Sequence, residues 1–291
     1  MTRIGAIFNP YTHTPEEFRD AVLAAESEGL PELWIWEDCF RHSAFATVGA
    51  ALAWTEALRI GIGIAPMPLR NVAATAMEIA TVERLFPGRL LPGVGHGVLD
   101  WMGQVGARVA SPLTLMREYV PALRGLLAGD ELNVDGRYVT LRDVRLNDPP
   151  ATPPFVYTAA EGPKTLRLSG EVADGTVLDS GHTAGEYAIA TAAIREARAA
   201  AGRGDGHDIV AYVVTAFGAE AEARAIADVG DKPEPAERAL WGDPAEVAAG
   251  AQRFFDAGVD DVVLLPSSRG DIAEFYRAAA EVSRLVRGSA E

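Results

Sequence analysis

Among its 291 residues the sequence has a single cysteine, Cys39. No intramolecular disulfide and no multi-cysteine metal site can be made from it, and such a chain is expected in a reducing, cytoplasmic setting. Positive charge is also scarce, with 26 Lys and Arg against 41 Asp and Glu and a net charge of −15. That deficit argues against a broad basic face for nucleic acid or an anionic membrane, while leaving room for a local basic pocket. No apolar run approaches the roughly 18 residues of a membrane span, and the apolar stretch near the N-terminus is too short for a signal peptide. The five histidines (His13, His42, His96, His182, His207) form no pair at helical i, i+4 spacing on a predicted helix, and the first strand does not end in His-x-His. A metal-dependent hydrolase is therefore not indicated, and no metal is expected. What is present, 48% hydrophobic and 23% charged residues with a mean hydropathy of +0.06, is the composition of a globular protein with a sizeable core.

Short apolar runs alternate with longer segments of helical period. Strands are expected at residues 3–9, 32–38, 58–65, 89–95, 154–160, 175–179, 208–216 and 260–266. Helices are expected at 14–29, 44–55, 71–85, 111–127, 162–171, 184–201, 219–228, 244–257 and 271–287. The first helix opens on Thr14-Pro15-Glu16-Glu17, a cap with Pro and acid in the first turn, and carries Phe18, Val22 and Ala25 on one face. The third is read with Ala73, Met77, Ala80 and Arg84 along one side. Residues 129–146 read as an inserted β-hairpin turning at Asp135-Gly136, between strands four and five. The stretch between strands seven and eight, from Phe217 to Gly242, is short. Eight strands alternating with helices in this length predict an α/β fold, a (β/α)8 TIM barrel forming one domain over residues 1–291. A doubly wound open sheet permits the same alternation, but its dinucleotide fingerprint is missing: Asn9-Pro10-Tyr11-Thr12-His13 after strand one holds no glycine.

In such a barrel the chemistry lies where strands end at their C-terminal side. Gly95-His96-Gly97 ends strand four, and an imidazole between glycines suits proton transfer beside a flat ligand. Ala159-Ala160-Glu161-Gly162-Pro163-Lys164 ends strand five and opens a helix with a cation in its first turn, the pattern of a phosphate seat or of an ordinary turn. Glu37 and Asp38 end strand two. If the strand persists, one faces inward and the other outward, so they do not form a carboxylate pair; one is a candidate acid, the other a partner for a loop Arg. Cys39 is a nucleophile or, more commonly, a small buried residue. Pro66-Met67-Pro68-Leu69-Arg70-Asn71 suits a wall against an aromatic ring, and Trp34, Trp36 and Trp101 are core or cleft aromatics.

Taken together in order, several segments resemble the bacterial luciferase-like monooxygenase superfamily of flavin- and deazaflavin-dependent oxidoreductases. They are Leu33-Trp34-Ile35-Trp36-Glu37-Asp38, Leu58-Arg59-Ile60-Gly61-Ile62-Gly63 with Pro66 to Asn71, Ala76-Met77-Glu78-Ile79-Ala80-Thr81, Phe86-Pro87-Gly88-Arg89 running into Gly93-Val94-Gly95, Gly162 to Glu171 with Ala173-Asp174-Gly175, and Gly242-Asp243-Pro244 to Asp260. The resemblance implies a luciferase-like barrel, usually dimeric. Its cofactor phosphate would be held at Thr158, Ala159, Ala160, Gly162, Pro163 and Lys164, and its ring would pack over Ile64, Ala65, Met67, Gly95 and Gly97. It also implies a non-prolyl cis peptide near Ile64-Ala65. The Gly-Pro-Lys segment resembles the branch that uses coenzyme F420, with FMN as the alternative.

Two positions depart from the deazaflavin dehydrogenases of this family. Their Asp-His pair after strand two is Asp38-Cys39 here, and their Glu after the strand-four glycine is His96. The expectation is hydride transfer between F420 and a small organic substrate, with His96 as proton carrier and Asp38 as its partner. An FMN-dependent monooxygenase with a separate reductase, a non-catalytic flavin-binding barrel and a hydrolase using Asp38 or Cys39 are the alternatives. The carboxylate-rich F420 tail favours a basic rim, for which Arg41, Arg70, Lys164 and Arg167 are the candidates.

Overall fold

The computed structural model describes residues 2–267 and 270–288. Its first half runs β1 (Arg3–Ile7), α1 (Phe18–Ser27), β2 (Glu32–Ile35), α2 (Ala44–Trp54), β3 (Arg59–Ile62), β4 (Ala65–Pro66), α3 (Val72–Leu85), β5 (Leu90–Leu91), β6 (Gly93–Gly95), α4 (Leu99–Gln104) and α5 (Pro112–Ala128). An antiparallel pair follows, β7 (Leu132–Asp135) and β8 (Thr140–Val144). The second half is β9 (Tyr157–Ala159), α6 (Pro163–Val172), β10 (Gly175–Leu178), α7 (Ala184–Ala200), β11 (Asp208–Phe217), α8 (Ala221–Val229), β12 (Ala239–Gly242), α9 (Pro244–Asp256), β13 (Asp261–Pro266) and α10 (Ile272–Gly288).

All ring pairings are parallel: β13 with β1, β1 with β2, β2 with β3, β3 with β5, β6 with β9, and so through β10 and β11 back to β13. β3 and β4 are halves of one strand, as are β5 and β6, so eight strands close the circuit. The β7–β8 pair is pinned to α5 by Glu118, whose carboxylate accepts from the N–H groups of Arg137, Tyr138 and Val139.

Local chemistry sets most boundaries. Ser111 caps α5, with Pro112 in its first turn. Thr183 with Glu186 and Asp243 with Glu246 form reciprocal capping boxes on α7 and α9. Three expectations are corrected. The Thr14 cap makes a turn instead of starting the helix: Glu17 accepts from the Thr14 N–H at 2.7 Å, and α1 begins at Phe18. α3 buries Val72, Thr75, Ala76, Ile79, Ala80 and Glu83 and leaves Met77 61% exposed, because its apolar stripe runs through 72, 76 and 79. Between strands seven and eight stands an extra strand, β12, paired to the upper half of β11.

Two apolar layers result. The helices cover the outside of the barrel, and the inside is filled by Ile7, Trp34, Leu91, Tyr157, Val177, Val210, Tyr212 and Val263. Trp34 is fully buried and meets Tyr157 and Tyr212 edge-on at centroid distances of 5.6 and 6.2 Å. Strand three makes the room: a Cβ on Gly61 would lie 2.2 Å from the indole, and one on Gly63 would lie 1.9 Å from the Tyr212 hydroxyl.

Below the aromatic layer the barrel floor is ionic. Arg3 donates to Asp208 at 2.5 and 2.7 Å, Tyr157 donates to Asp208 at 2.7 Å, and Arg59 pairs with Glu32. Asp261 is wholly buried, and both its oxygens lack a donor among the described residues. Burial first, and then Glu32 beside it, push the Asp261 carboxyl well above its usual range, whereas Glu32 lies below its usual range. A proton on Asp261, directed to Glu32, removes the repulsion between the two carboxyls and leaves two guanidinium groups balanced by two carboxylates.

The folded state thus holds a proton that the unfolded chain releases above the ordinary aspartate range, so this carboxyl costs stability as pH rises from that range. Asp261→Asn keeps the donor without the proton. The variant is expected to match the parent near pH 4 and to exceed it by about 1–2 kcal/mol at pH 8 in urea unfolding. Equal stability at both pH values would show that Asp261 is ionised.

Candidate active site

A cleft of about 540 Å³ opens at the C-terminal ends of the strands. Its floor is Gly63, Ile64, Val177, Tyr212 and Leu265, and its walls carry Trp36, Asp38, His96, Gly97, Ala159, Ala160 and Asp179. A larger hollow, about 980 Å³, lies at the opposite mouth beside Arg3, Arg59 and Asp208, whose charges are already consumed in the floor network. The upper cleft is the candidate because unspent chemistry converges there.

Strand three breaks between β3 and β4 at a cis Gly63–Ile64 peptide, one bond before the expected place, and Ile64 projects into the cleft. A second non-prolyl cis peptide joins Cys39 to Phe40. A Cβ on Gly95 would come within 2.8 Å of Ile64, so glycine there lets the isoleucine lie flat.

β2 ends at Ile35, so strand alternation does not govern Glu37 and Asp38, and both reach the cleft wall. Glu37 is spent on structure: it takes two bonds from Arg70, at 2.7 and 3.0 Å, and one from the Ala44 N–H that opens α2, at 2.8 Å. Asp38 accepts from the Tyr11 hydroxyl at 2.7 Å. Burial raises the Asp38 carboxyl above its usual range and Asp179 adds to this, against the Tyr11 bond and the Arg41 charge. The Trp36 indole N–H is buried without a hydrogen bond and also favours the Asp38 anion.

His96 Nδ1 lies 2.6 Å from the Gly97 carbonyl. A carbonyl only accepts, so Nδ1 carries the hydrogen, and Nε2 makes no hydrogen bond among the described residues.

The other expected residues divide. Ile64, Gly97, Ala159 and Ala160 line the cleft with His96 and Asp38. Gly95 is buried just beneath it. Gly162, Pro163 and Lys164 form the exposed start of α6 after the cleft residues Ala159 to Glu161. Thr158 is not on the wall: one residue out of phase with Ala159, it bonds Ser169 of α6 at 2.6 Å. Ala65 is buried outside the lining, and Met67 faces a separate hollow with Tyr119 and Val139. Cys39 is half-buried off the lining, and burial with Glu37 and Asp38 pushes its thiol up, which does not suit a nucleophile.

Sequence reasoning missed Tyr212; the segment from Leu99 to Ala107 is expected at the outer cleft as a loop, and Leu99 does line it, but the segment opens as the short helix α4. The period-two run Asp208, Val210, Tyr212 was the available signal for the tyrosine. The expected basic rim is only partly formed. Arg70 is held by Glu37 and Glu78, Arg167 pairs with Glu196 at 3.4 Å, and Arg41 stacks on Tyr11, while Lys164 makes no ion pair among the described residues.

These residues fit a flat ring with an anionic tail. Ile64 and Val177 give an apolar seat, and a Cβ on Gly162 would meet nothing nearer than Thr165 Oγ1 at 3.6 Å, so the α6 N-terminus is open. The first-turn N–H groups of Lys164 and Thr165 have no helical acceptor, which is the chemistry of a phosphate seat.

The luciferase-like monooxygenase family model matches residues 1–232. The chain belongs to that family. Within it, the chain is 29% identical to 5,10-methylenetetrahydromethanopterin reductase of Methanolobus tindarius over 65% of its own length, and the match spans 57% of that relative. It is 28% identical to the F420-dependent glucose-6-phosphate dehydrogenase of Kineococcus radiotolerans, with 94% of each chain covered. Its fold matches the coenzyme F420-dependent tetrahydromethanopterin reductase structure from Methanopyrus kandleri with a TM-score of 0.85 at 20% identity, over 100% of this chain and 99% of that one. Among the described residues no helix is long and apolar enough to cross a membrane, and no group of three or more His, Cys, Asp or Glu is arranged to hold a metal.

Glu37 ties the strand-two loop, the Arg70 segment and α2 together. Glu37→Ala is expected to lower stability by about 2–4 kcal/mol in urea denaturation, since it leaves Arg70 half-buried with only the longer Glu78 contact. A loss below about 0.5 kcal/mol would show the knot to be dispensable.

Proposed function

We propose that this luciferase-like chain is an oxidoreductase that moves hydride between coenzyme F420 and a small organic substrate such as an alcohol, a carbonyl compound or an activated double bond. The observation that carries the reading is the match over 94% of the chain to an enzyme whose name records F420 dependence. An apolar-floored cleft beside an open helix N-terminus supports it. F420, when bound, supplies obligate two-electron hydride chemistry that reacts poorly with oxygen. Ile64 and Val177 would seat its ring, with Ala159, Ala160, Gly162, Pro163 and Lys164 at its phosphate.

His96 Nε2 takes the proton of a substrate hydroxyl as it is oxidised, and returns it when a carbonyl is reduced. Asp38 lies on the wall of the same cleft and supplies the second titratable group. Cys39 has no chemical role in this reading. The enzyme would work as a single-domain homodimer in the cytoplasm.

One observation favours FMN instead. Of the four cations expected on the rim, Arg70 and Arg167 are paired with carboxylates, and Glu161 adds an acid to the cleft, a setting easier for a single phosphate than for a carboxylate-rich tail. Such a protein would be an oxygen-dependent monooxygenase. Parallel fluorescence titration of the cofactor-free protein separates the two. Tight, salt-sensitive F420 binding with weak FMN binding is expected, and the reverse order would replace the deazaflavin reading with the flavin one.

His96→Ala is expected to bind the cofactor as before and to lose roughly 10²–10⁴-fold in turnover. Unchanged turnover would remove His96 from the reaction.

A further inference from the structure

The loops after strands one and two are fastened together at the cleft rim by three contacts. The Tyr11 hydroxyl donates to Asp38 Oδ2 at 2.7 Å. The Arg41 guanidinium lies over the Tyr11 ring, 4.1 Å from its centre. Arg41 also donates to the Pro10 carbonyl at 3.4 Å. Tyr11 is set in place by a turn in which its own N–H donates to Asn9 Oδ1 at 2.9 Å, and Asn9 lines the cleft.

This clasp adds little to the core. Tyr11 is 47% exposed, so its ring buries modest apolar area, and a half-exposed polar bond contributes little net stability. Its consequence falls on Asp38. A carboxylate has two oxygens; the clasp occupies Oδ2, and Oδ1 takes no well-formed hydrogen bond among the described residues, although the Trp36 indole N–H lies near enough to favour the anion. We propose that Tyr11 is a positioning residue for the reaction, holding Asp38 by Oδ2 so that Oδ1 is the oxygen offered to the substrate, with Arg41 holding the phenol in turn. The proposal rests on the hydride-transfer reading of the cleft and adds to it a device that sets the state of its second acid.

The groups facing Asp38 pull in opposite directions. Burial and Asp179 disfavour the anion, while the Tyr11 hydroxyl, the Trp36 indole and Arg41 favour it. Glu37, next in sequence, is held by Arg70, and His96 stands on the same cleft. In that balance the Tyr11 bond is the element that can be removed without changing shape. Without it the carboxyl keeps its burial and loses a donor to its charged form, so it must titrate at higher pH.

The test is ¹³C-carboxyl NMR titration of the cofactor-free full chain, with Asp38→Asn to assign the signal. Tyr11→Phe is expected to raise the Asp38 midpoint by about one pH unit, with the other carboxyls unmoved. Arg41→Gln is expected to raise it by less, since that charge is partly screened by solvent. The pH profile of kcat/KM, measured with whichever cofactor binds, is expected to move its acid limb upward by the same amount in Tyr11→Phe, with kcat changed more than KM.

An unmoved Asp38 midpoint, or a shift shared by all carboxyls, would overturn the clasp. A moved midpoint with an unmoved kinetic limb would overturn its role in the reaction. The NMR readout needs no cofactor, so a failure of F420 to bind defeats the oxidoreductase reading without touching the measurement of the clasp.

Discussion

One indole occupies the middle of this barrel, and its neighbours are shaped around it. Trp34 cannot be accommodated unless strand three gives up its side chains, which is why Gly61 and Gly63 stand where a methyl group would strike the indole or the Tyr212 hydroxyl. That constraint reaches the cleft. With strand three bare beside the aromatics, Tyr212 reaches across to the Gly63 carbonyl at 3.3 Å, and the residue after that glycine, Ile64, lines the cleft. Filling the interior and building the cleft floor are therefore one packing problem, and the residues that solve the first also supply the second.

The two ends of the barrel treat charge differently. At the N-terminal end Arg3, Arg59, Glu32 and Asp208 neutralise one another, and Asp261 joins them most economically as a neutral acid. Charges paired off in this way have little left to offer a ligand, whatever the size of the hollow beside them. At the C-terminal end Glu37 is similarly consumed by Arg70 and α2, but Asp38 has one donor, His96 presents an unbonded Nε2, and Trp36 has a buried N–H without an acceptor. An unbonded polar group on a cleft wall is one that a ligand can complete.

Much of this was legible in the sequence, and the reasons are local. Strand and helix order follows from apolar period and caps, and most caps sit where Ser111, Thr183 and Asp243 promise them. The glycine-flanked His96 and the start of α6 stand out because few residue types tolerate those backbones and few loops open a helix with Gly-Pro-Lys. The failures are of two kinds. Strand ends are not visible in composition, so alternation puts Glu37 and Asp38 on opposite faces although β2 stops at Ile35, and Thr158 falls one residue out of phase with the cleft wall. Long-range pairing is only partly visible: a loop Arg as the partner of one of the two carboxylates is expected and is found as Arg70 on Glu37, 33 residues away, but nothing in Tyr11 announces Asp38, 27 residues away.

The departures from the family's usual acid and base are better understood as a pair than singly. Where relatives of the deazaflavin branch have an Asp-His pair, this chain has Asp38-Cys39, with a thiol held protonated; where they have a Glu, it has His96. The imidazole has not been lost from the cleft. It stands at the end of strand four instead of in the strand-two loop, while Asp38 keeps the place of the pair's carboxyl and the strand-four carboxyl is gone. An imidazole with Nδ1 fixed on the Gly97 carbonyl needs no neighbouring carboxylate to orient it. Asp38 is then free to be held by something else, and the group that holds it is a phenol carried on the strand-one loop, in a segment where no glycine interrupts Pro10-Tyr11-Thr12. The cleft thus presents one imidazole and one carboxyl from two different strand ends against one apolar floor, and the carboxyl is tied to the strand-one loop.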